Sequence, residues 1–201
     1  FLTAGLRYDD NEDFGANTSF RLSTAFLLET KAGTLKFKAA LGSGFRAPSP
    51  FEIQYNRGPY AFPPATSSPL VQEESRGWEV GAQLDAEKYH LEAIIFDQSV
   101  SNAIVFDLAG YSGYLQDLGR GVSSGIELIA DYRITKALRA SANYTYNEAD
   151  RPDGSQRLRR PNHLFNFGLR FAGINNRMTL NAFYRSQAEA IDIGQIALED
   201  F

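Results

Sequence analysis

Apolar and polar residues alternate along most of this chain with a period of two. The alternation is clearest between residues 126 and 146, where a short polar turn separates two alternating stretches. One face of these stretches carries Ile126, Leu128, Ala130, Tyr132, Leu138, Ala140, Ala142, Tyr144 and Tyr146. Because successive side chains of a β-strand point to opposite faces of a sheet, each alternating stretch predicts one strand. No helical period of 3.6 residues competes with this pattern, so we predict an all-β fold of about nine antiparallel strands.

The connections between these strands are predicted to alternate between short and long. Tight turns are expected around residues 31, 86, 135 and 174, and long connections at 9–17, 46–72, 97–120 and 147–160. The tail, 186–201, is expected to be a further connection, with a new strand beginning at Ile196. Segment 46–72 holds six of the eight prolines, which predicts a long loop because proline cannot donate to a strand ladder. Strands of about ten or more residues with short turns at one end only are typical of an outer-membrane β-barrel.

The two faces of the predicted strands differ in chemistry. One face carries mainly Leu, Ala, Val and Phe, as expected for contact with lipid. The other carries Arg, Lys, Glu, Asn and Thr, and there we expect Glu79, Glu127 and Arg133 to point into a wet lumen. The pattern therefore predicts an antiparallel transmembrane β-barrel, and a soluble antiparallel sheet is the alternative.

The composition excludes several other classes of protein. The chain has 201 residues and a net charge of −4, with no basic stripe, so we expect no nucleic-acid binding. It has no cysteine, and His90 and His163 are far apart, so we expect no metal site and no cofactor. No run of about 18 apolar residues suggests a transmembrane helix. No Ser/His/Asp set or carboxylate pair is placed for catalysis, so we expect no enzymatic activity.

Two motifs frame the long loop. Residues 44–49 read Gly-Phe-Arg-Ala-Pro-Ser, and residues 72–81 read Gln-Glu-Glu-Ser-Arg-Gly-Trp-Glu-Val-Gly. Later come Gly-Ile-Glu at 125–127, Asn-Tyr-Thr-Tyr at 143–146 and Arg-Pro-Asn-His at 160–163. In this order and spacing, the motifs resemble those of the TonB-dependent outer-membrane receptors, although the usual proline before the glutamate is absent. The residues that carry the two framing motifs are Gly44, Phe45, Arg46, Ala47, Pro48, Glu74, Trp78, Glu79 and Gly81.

The resemblance implies an architecture and a function. It implies that residues 1–201 are one partial barrel domain, about nine strands of a 22-stranded barrel, without the plug and the terminal strands. It implies a receptor in the outer membrane of a Gram-negative bacterium, in contact with lipid and lipopolysaccharide. Such a receptor imports a scarce small molecule, a ferric siderophore or a cobalamin-like ligand, with energy from the TonB-ExbB-ExbD complex acting through the plug. A passive porin or structural barrel is the alternative, and a barrel enzyme fits poorly.

Candidate ligand-binding residues lie in the predicted outer loops. Arg46 could contact an anionic ligand or could simply fix the proline-rich loop. The loop aromatics could stack on a planar ligand or pack loop against loop, and they are Tyr55, Tyr60, Phe62, Tyr111 and Tyr114. Receptors of this family that bind haem often have a histidine in the loop after the first motif. None occurs between residues 46 and 72, which argues against haem.

A basic cluster in the connection 147–160 offers a second candidate site. Arg157 and Arg159, together with Arg151 and Arg160, could attract an anionic ligand such as a ferric siderophore. Basic residues at the rim of a barrel can equally bind the phosphates of lipopolysaccharide, and the sequence leaves both interpretations open.

Overall fold

The computed structural model describes residues 1–12, 14–173 and 177–192. These residues form nine β-strands and one short α-helix. The elements are β1 (Leu2–Asn11), β2 (Gly15–Thr30), β3 (Gly33–Arg46), α1 (Pro50–Arg57), β4 (Glu73–Asp85), β5 (Tyr89–Phe106), β6 (Tyr114–Arg133), β7 (Leu138–Asp150), β8 (His163–Gly173) and β9 (Met178–Ala188).

All nine strands belong to one antiparallel sheet in the order β1 to β9, and each strand pairs with its sequence neighbours. The sheet is open, with β1 and β9 at its edges. The strands are 10 to 20 residues long, as the alternating pattern predicted. Within the described residues, no helix has the length and apolarity that a membrane span requires.

The strand register places like residues on the same face of the sheet. One rung on the apolar face joins Phe26, Phe37, Ala82, Ala93, Leu128, Tyr144 and Phe165. The neighbouring rung on the polar face joins Leu27, Lys36, Gln83, Glu92, Ile129, Asn143 and Asn166. Side chains on the apolar face, such as Val80 and Ile95, are about half exposed. A continuous apolar surface of this extent suits contact with lipid and not with water.

Charged side chains on the polar face form ion pairs across strands. Lys38 on β3 forms an ion pair with Glu92 on β5 by reaching across β4 at Gly81. A Cβ atom at Gly81 would lie 3.2 Å from Cε of Lys38, so glycine leaves the lysine this path. His90 Nδ1 lies 2.6 Å from Oδ1 of Asp85 on the same face.

The first connection is much shorter than the sequence predicted. Segment 9–17 was expected to be a long polar loop, but β1 and β2 pair as far as Asn11 and Gly15, and only residues 12–14 separate them. Gly15 has a φ of +78°, and the side chain of Asn11 accepts a hydrogen bond from the Phe14 amide at 3.2 Å. The prediction was wrong because strand pairing uses backbone groups, so polar residues can extend a ladder beyond the apolar band.

The connection predicted at 97–120 is also shorter. Strand β5 continues to Phe106 and β6 begins at Tyr114, which leaves a loop of residues 107–113. The register shifts between Ser101 and Ala103, where Asn102 has a φ of +57°. The extra residue of this bulge interrupts the alternation of side chains, and a glycine-rich stretch follows it. Both features made the segment resemble a loop in the sequence.

The proline-rich segment 46–72 contains a helix that the sequence pattern did not predict. Ser49 caps helix α1: its side chain accepts a hydrogen bond from the Glu52 amide, and the Glu52 side chain accepts one from the Ser49 amide. Two turns are too short to show a helical period, so the cap, with Pro50 at the start, determines this helix. The turn predicted around residue 174 lies partly outside the described residues, and the strand expected at Ile196 lies wholly outside them.

Candidate functional site

Arg46 lies at the end of β3, where the long loop begins. Its guanidinium binds Glu73 through two hydrogen bonds, Nε to Oε2 at 2.6 Å and Nη2 to Oε1 at 2.9 Å. Nη1 also donates to both carboxylate oxygens of Glu52, at 3.1 Å each. We call these three residues the Arg46 node. The arginine that the sequence nominated as a ligand contact thus binds two carboxylates of its own chain.

The two carboxylates of the Arg46 node continue into the backbone. Glu73 Oε1 accepts a hydrogen bond from the Ile104 amide on β5 at 2.7 Å. Glu52 Oε2 accepts one from the Ser49 amide at 2.6 Å. One guanidinium therefore connects the ends of β3 and β4 with helix α1 and, through Glu73, with β5.

The hydrogen bonds of the Arg46 node favour the charged forms of its three side chains. The hydrogen bond to Glu73 raises the pKa of Arg46 above its usual range, although partial burial opposes the rise. The hydrogen bond from Arg46 lowers the pKa of Glu73 below 4.5. For Glu52, burial alone would raise the pKa, but hydrogen bonds from Ser49 and Arg46 outweigh it and lower the pKa.

The two sequence motifs are cross-strand partners. Phe45 pairs with Glu74, and Arg46 pairs with Glu73. Further along β4, Trp78 pairs with Leu41 on the apolar face, and Gly81 pairs with Lys38 on the polar face. Sequence reasoning singled out Glu74 as the motif glutamate and missed Glu73, which makes the contact with Arg46. The register supplies that distinction, because only residues on the same face of neighbouring strands can meet.

Asn56 on helix α1 fixes the loop to the β5–β6 hairpin. Its side-chain oxygen accepts a hydrogen bond from the Tyr114 amide at 2.9 Å, and its side-chain amide donates to the Tyr114 carbonyl at 2.7 Å. The same amide group donates to the Ala65 carbonyl at 3.2 Å. Further on, the Phe62 amide donates to the Ser112 carbonyl at 3.1 Å. The loop is therefore docked on the hairpin along much of its length.

The loop 107–113 is built around Asp107. Oδ1 of Asp107 accepts from the amides of Ala109 and Gly110, at 3.1 and 2.9 Å, and Oδ2 accepts from Ser112 Oγ at 2.7 Å. These hydrogen bonds, led by that from Gly110, lower the pKa of Asp107. The side chain of Ser112 is fully buried. The carboxylate therefore fixes the conformation of the loop.

Five aromatic rings pack together where the two loops meet, and we call them the aromatic platform. They are Phe51, Tyr55, Phe106, Tyr111 and Tyr114. The ring of Tyr114 lies edge-to-face against Tyr55 at 5.7 Å and against Phe106 at 5.3 Å, a favourable geometry for aromatic pairs. Phe51 and Tyr111 remain 66% and 64% exposed, so the platform presents apolar surface outward.

The structure brings three of the five predicted aromatics together and leaves two apart. Tyr55, Tyr111 and Tyr114 join the platform, whereas Tyr60 and Phe62 lie on the same loop outside it and are 78% and 48% exposed. Sequence reasoning missed Phe51, Phe106 and Asn56. The capping box at residues 49–52 is the signal that could have placed Phe51 and Tyr55 on one helix face.

The predicted arginine cluster lies apart from the platform, in the connection between β7 and β8. Arg159 Nε donates to Oδ1 of Asp192 at 2.9 Å, and the Arg159 amide donates to the Ile191 carbonyl at 2.7 Å. The Arg157 amide donates to the Ala149 carbonyl at 2.8 Å, and its guanidinium lies over Gly121. These two arginines therefore help to order their own connection.

A cavity of about 360 Å³ opens between the long loop and the β1–β2 turn. Its wall mixes apolar and polar groups, and Asn56 and Arg57 contribute the strongest polar groups. The remaining lining residues are Phe14, Ile53, Ala65, Thr66, Ser68, Pro69 and Leu70. Its size is that of a site for a small molecule or part of one, and its wall is more polar than is usual for such sites.

Comparison with known proteins identifies relatives along nearly the whole chain. Residues 1–196 match the family model described as TonB dependent receptor-like, beta-barrel. The vitamin B12 transporter BtuB of Photobacterium profundum is 24% identical over 186 residues, 90% of this chain and 29% of that protein. BtuB of Vibrio cholerae serotype O1 is 24% identical over 166 residues, 82% of this chain and 25% of that protein. The chain thus spans less than a third of these relatives' length.

Solved structures show the same fold. A variant of the ferric enterobactin receptor PfeA of Pseudomonas aeruginosa has a TM-score of 0.74 and 19% identity, covering 98% of this chain and 32% of that one. The siderophore receptor PirA of Pseudomonas aeruginosa has a TM-score of 0.67 and 22% identity, covering 92% of this chain and 38% of that one. The open nine-stranded sheet therefore has the fold of part of a larger barrel, as the resemblance implied. The chain belongs to the family of TonB-dependent receptor-like β-barrels.

Proposed function

We propose that this chain is part of an outer-membrane receptor that binds a scarce ligand and imports it with energy coupled through TonB. The ligand is a ferric siderophore or a cobalamin-like molecule. Relatives named as transporters of vitamin B12 and as a receptor for ferric enterobactin support these two classes. The coupling to TonB rests on membership of the family. On this proposal the chain does no catalysis, and its ligand is cargo and not a cofactor.

The observation that carries the proposal is the fixed conformation of the longest loop. The Arg46 node holds its beginning, Asn56 holds its middle against the β5–β6 hairpin, and the aromatic platform fills the junction. A passive pore needs only loops that leave a path open, whereas a receptor needs groups held in place before the ligand arrives. A preordered, partly exposed aromatic surface beside a cavity therefore favours the receptor.

The geometry assigns different roles to the candidate residues within this proposal. The exposed rings of Tyr60, Phe62 and Tyr111 stack on planar or apolar parts of the ligand. Tyr55 and Tyr114 pack inside the platform, where Phe106 contacts both of them and also supports the ring of Tyr111.

The basic residues among the candidates also differ in role. Arg46 shapes the loop through its two carboxylates and lies beside the ligand without binding it. Arg157 and Arg159 attract an anionic ligand towards the rim, where their charges act at longer range.

A cross-linking experiment tests the function as a whole. The full-length protein is placed in outer membranes and cross-linked to the C-terminal domain of TonB, with and without candidate ferric siderophores and cobalamin. We expect one ligand class to increase the cross-linking yield. A correctly inserted barrel that gives no cross-link under any condition would instead be a passive porin or structural barrel.

Paired variants test the assigned ligand contacts. Tyr60→Ala and Phe62→Ala are expected to weaken binding of the ligand identified above by about tenfold each, because each removes an exposed ring at the loop surface. Tyr8→Ala, which removes an exposed ring on the apolar face of β1, is the matched control and should leave affinity unchanged. Equal affinity in all three variants would remove the loop aromatics from the binding site.

A further inference from the structure

The apolar face of the sheet is not uniform, because a cavity of about 410 Å³ opens on it. We call this cavity the outer groove. Ala82 pairs with Ala93, and Ala130 pairs with Ala142, so small side chains form its floor on four adjacent strands, β4 to β7. Larger apolar side chains border this floor, and they are Leu35, Leu84, Leu91, Leu128, Tyr144 and Phe165. The remaining lining residues alternate with these along the same strands, so their side chains belong to the polar face.

Two aromatic rings close the outer groove towards the loop end of the sheet. The hydroxyl of Tyr144 lies 2.7 Å from Nδ1 of His163, and the two rings are stacked with their centroids 6.1 Å apart. Phe165 is the cross-strand neighbour of Tyr144, and its ring packs against Tyr184 at 6.3 Å. Both rings are therefore held by neighbouring strands, so the outer groove keeps its shape whether or not a molecule occupies it.

At its other end, the outer groove reaches the turn end of the sheet, where the short turns lie. Tyr89 pairs in register with Tyr132 on the apolar face, one rung beyond the alanine floor. Tyrosines at such positions mark the interface between the hydrocarbon and the lipid head groups. Lys88 directly precedes Tyr89, and Lys136 lies in the turn between β6 and β7, and both are exposed. Two cations therefore lie where the head groups of lipids lie.

The carboxylates of the turn end are grouped in a cleft that is separate from the outer groove. Three carboxylates and two arginines line this cleft, and they are Asp85, Glu87, Asp131, Arg133 and Arg139. Lys88 also borders it, but across the described ranges neither Lys88 nor Lys136 forms an ion pair. In the described strands, no carboxylate lies on the apolar face between the outer groove and the turns. The apolar side of these turns is therefore positively charged and can accept an anionic group.

The depth of the outer groove limits which lipid can enter it. Between Tyr132 and Leu128, strand β6 covers about 13 Å, which is less than half of a hydrocarbon core of about 30 Å. Short turns of transmembrane barrels lie on the periplasmic side. The outer groove therefore opens to the periplasmic leaflet of the outer membrane, which consists of phospholipids and not of lipopolysaccharide.

We propose that the outer groove binds one acidic phospholipid of the periplasmic leaflet. One acyl chain lies on the alanine floor and ends against the ring of Tyr144, and the head group lies beside Tyr89 and Tyr132. Lys88 and Lys136 attract its net negative charge. This site differs from the general contact of the apolar face with the bilayer, because the depth of the groove and the two lysines select one lipid. It lies on the outside of the barrel and is independent of the cargo.

Native mass spectrometry of the full-length protein tests the proposal. The protein is purified from outer membranes in mild detergent, stripped of lipid, and titrated with dioleoylphosphatidylglycerol or, separately, with dioleoylphosphatidylcholine. We expect one molecule of the acidic lipid to bind with an affinity about tenfold higher than that of the zwitterionic lipid, because the two lysines attract its net charge.

A matched pair of variants tests the place of the acyl chain. Ala93→Phe fills the floor of the outer groove and should lower the affinity for phosphatidylglycerol about tenfold, because the chain loses its apolar contacts there. Ala39→Phe adds the same ring to the apolar face outside the groove, where Ala39 pairs with Val80, and should leave the affinity unchanged.

A second pair tests the charge of the head-group site. Lys88→Gln with Lys136→Gln should remove the preference for phosphatidylglycerol over phosphatidylcholine. Lys88→Arg with Lys136→Arg keeps both charges and should retain the preference. Heat-modifiable migration in gels confirms that every variant has formed its barrel.

Three results would overturn the proposal. Equal affinities of the unaltered protein for the two lipids would mean that the lysines select no head group. Equal losses in Ala93→Phe and Ala39→Phe would mean that lipid covers the whole face without a site. A dimer of barrels that Ala93→Phe separates, with lipid binding unchanged, would mean that the groove packs against a second copy. Because none of these measurements uses cargo or TonB, they can fail while the proposed transport function stands, and the reverse also holds.

Discussion

Arginine side chains have different partners at the two ends of the sheet. At the loop end, the single guanidinium of Arg46 binds two carboxylates, Glu52 and Glu73, through hydrogen bonds of 2.6 to 3.1 Å. At the turn end, Arg133, Arg139 and Arg170 are cross-strand neighbours in register, and Glu87 binds Arg133. Arg46 is thus bound by two carboxylates of its own chain, whereas Arg133 has one exposed carboxylate partner and an arginine, Arg139, as its cross-strand neighbour.

This difference distinguishes arginines that stabilise the fold from arginines whose donors are not used within the described residues. An arginine with both sides of its fork occupied by its own chain has little left for a ligand, however suggestive its position in the sequence. An arginine whose neighbours are also arginines costs stability unless an anion is brought to it. The charged residues most available for recognition are therefore those without an ion pair among the described residues, such as Arg157 at the loop end and Arg139 at the turn end.

The largest effect is expected from removing the cation of the Arg46 node. Arg46→Ala leaves two partly buried carboxylates facing each other and should destabilise the docked loop locally by about 1–2 kcal/mol, a value already reduced because the side chain is 46% exposed. Hydrogen exchange of the Ile104 amide and of helix α1 in the full-length protein measures this loss.

Arg7→Ala is the control for that variant. Arg7 also pairs with a carboxylate, Asp9, but its side chain is 75% exposed and connects no other element. We expect its removal to change local stability by less than about 0.5 kcal/mol. Equal effects of the two variants would contradict a structural role for the Arg46 node.

The second effect is that the stability of the docked loop, which contains helix α1, depends on pH. The pKa values of Glu52 and Glu73 lie below 4.5 in the folded protein. Because a depressed pKa stabilises the fold above the unfolded value, this contribution is complete at neutral pH and is lost as the pH falls below about 4.5. Hydrogen exchange of helix α1, corrected for the intrinsic rate, should show the loss, and Arg46→Gln should weaken the step.

Much of the fold could be predicted from the sequence because alternation reports the two faces of a strand directly. The nine strands and the apolar face follow from residues such as Val80 and Ile95, whose environment is set by their own strand. The lengths of the connections could not be predicted in the same way. At Asp9 and Asn17, polar residues pair as strand because their backbone groups need partners beyond the apolar band.

The candidate site was less accessible to sequence reasoning because its contacts join distant segments. Tyr55 and Tyr114 lie far apart in the sequence and meet only because Asn56 binds the Tyr114 backbone. The alignment of Arg133, Arg139 and Arg170 depends on register across three strands, and a shift of one residue would move Arg139 to the apolar face. Single residues could be nominated from the sequence, but their contact partners could be identified only from the strand pairing in the structure.

The smallest effect is expected from Glu87, the carboxylate that binds Arg133 at the turn end. Glu87→Gln should change stability by less than about 0.5 kcal/mol, because the Glu87 side chain is 88% exposed and its interaction with Arg133 is screened by solvent. Glu73→Gln, the corresponding change at the loop end, should cost more in the same assay, since Glu73 binds both Arg46 and the Ile104 amide. If Glu87→Gln proved the costlier of the two, the contact of Arg133 with Glu87 would matter more to stability than the contact of Arg46 with Glu73. The contrast between these two arginines would then fail.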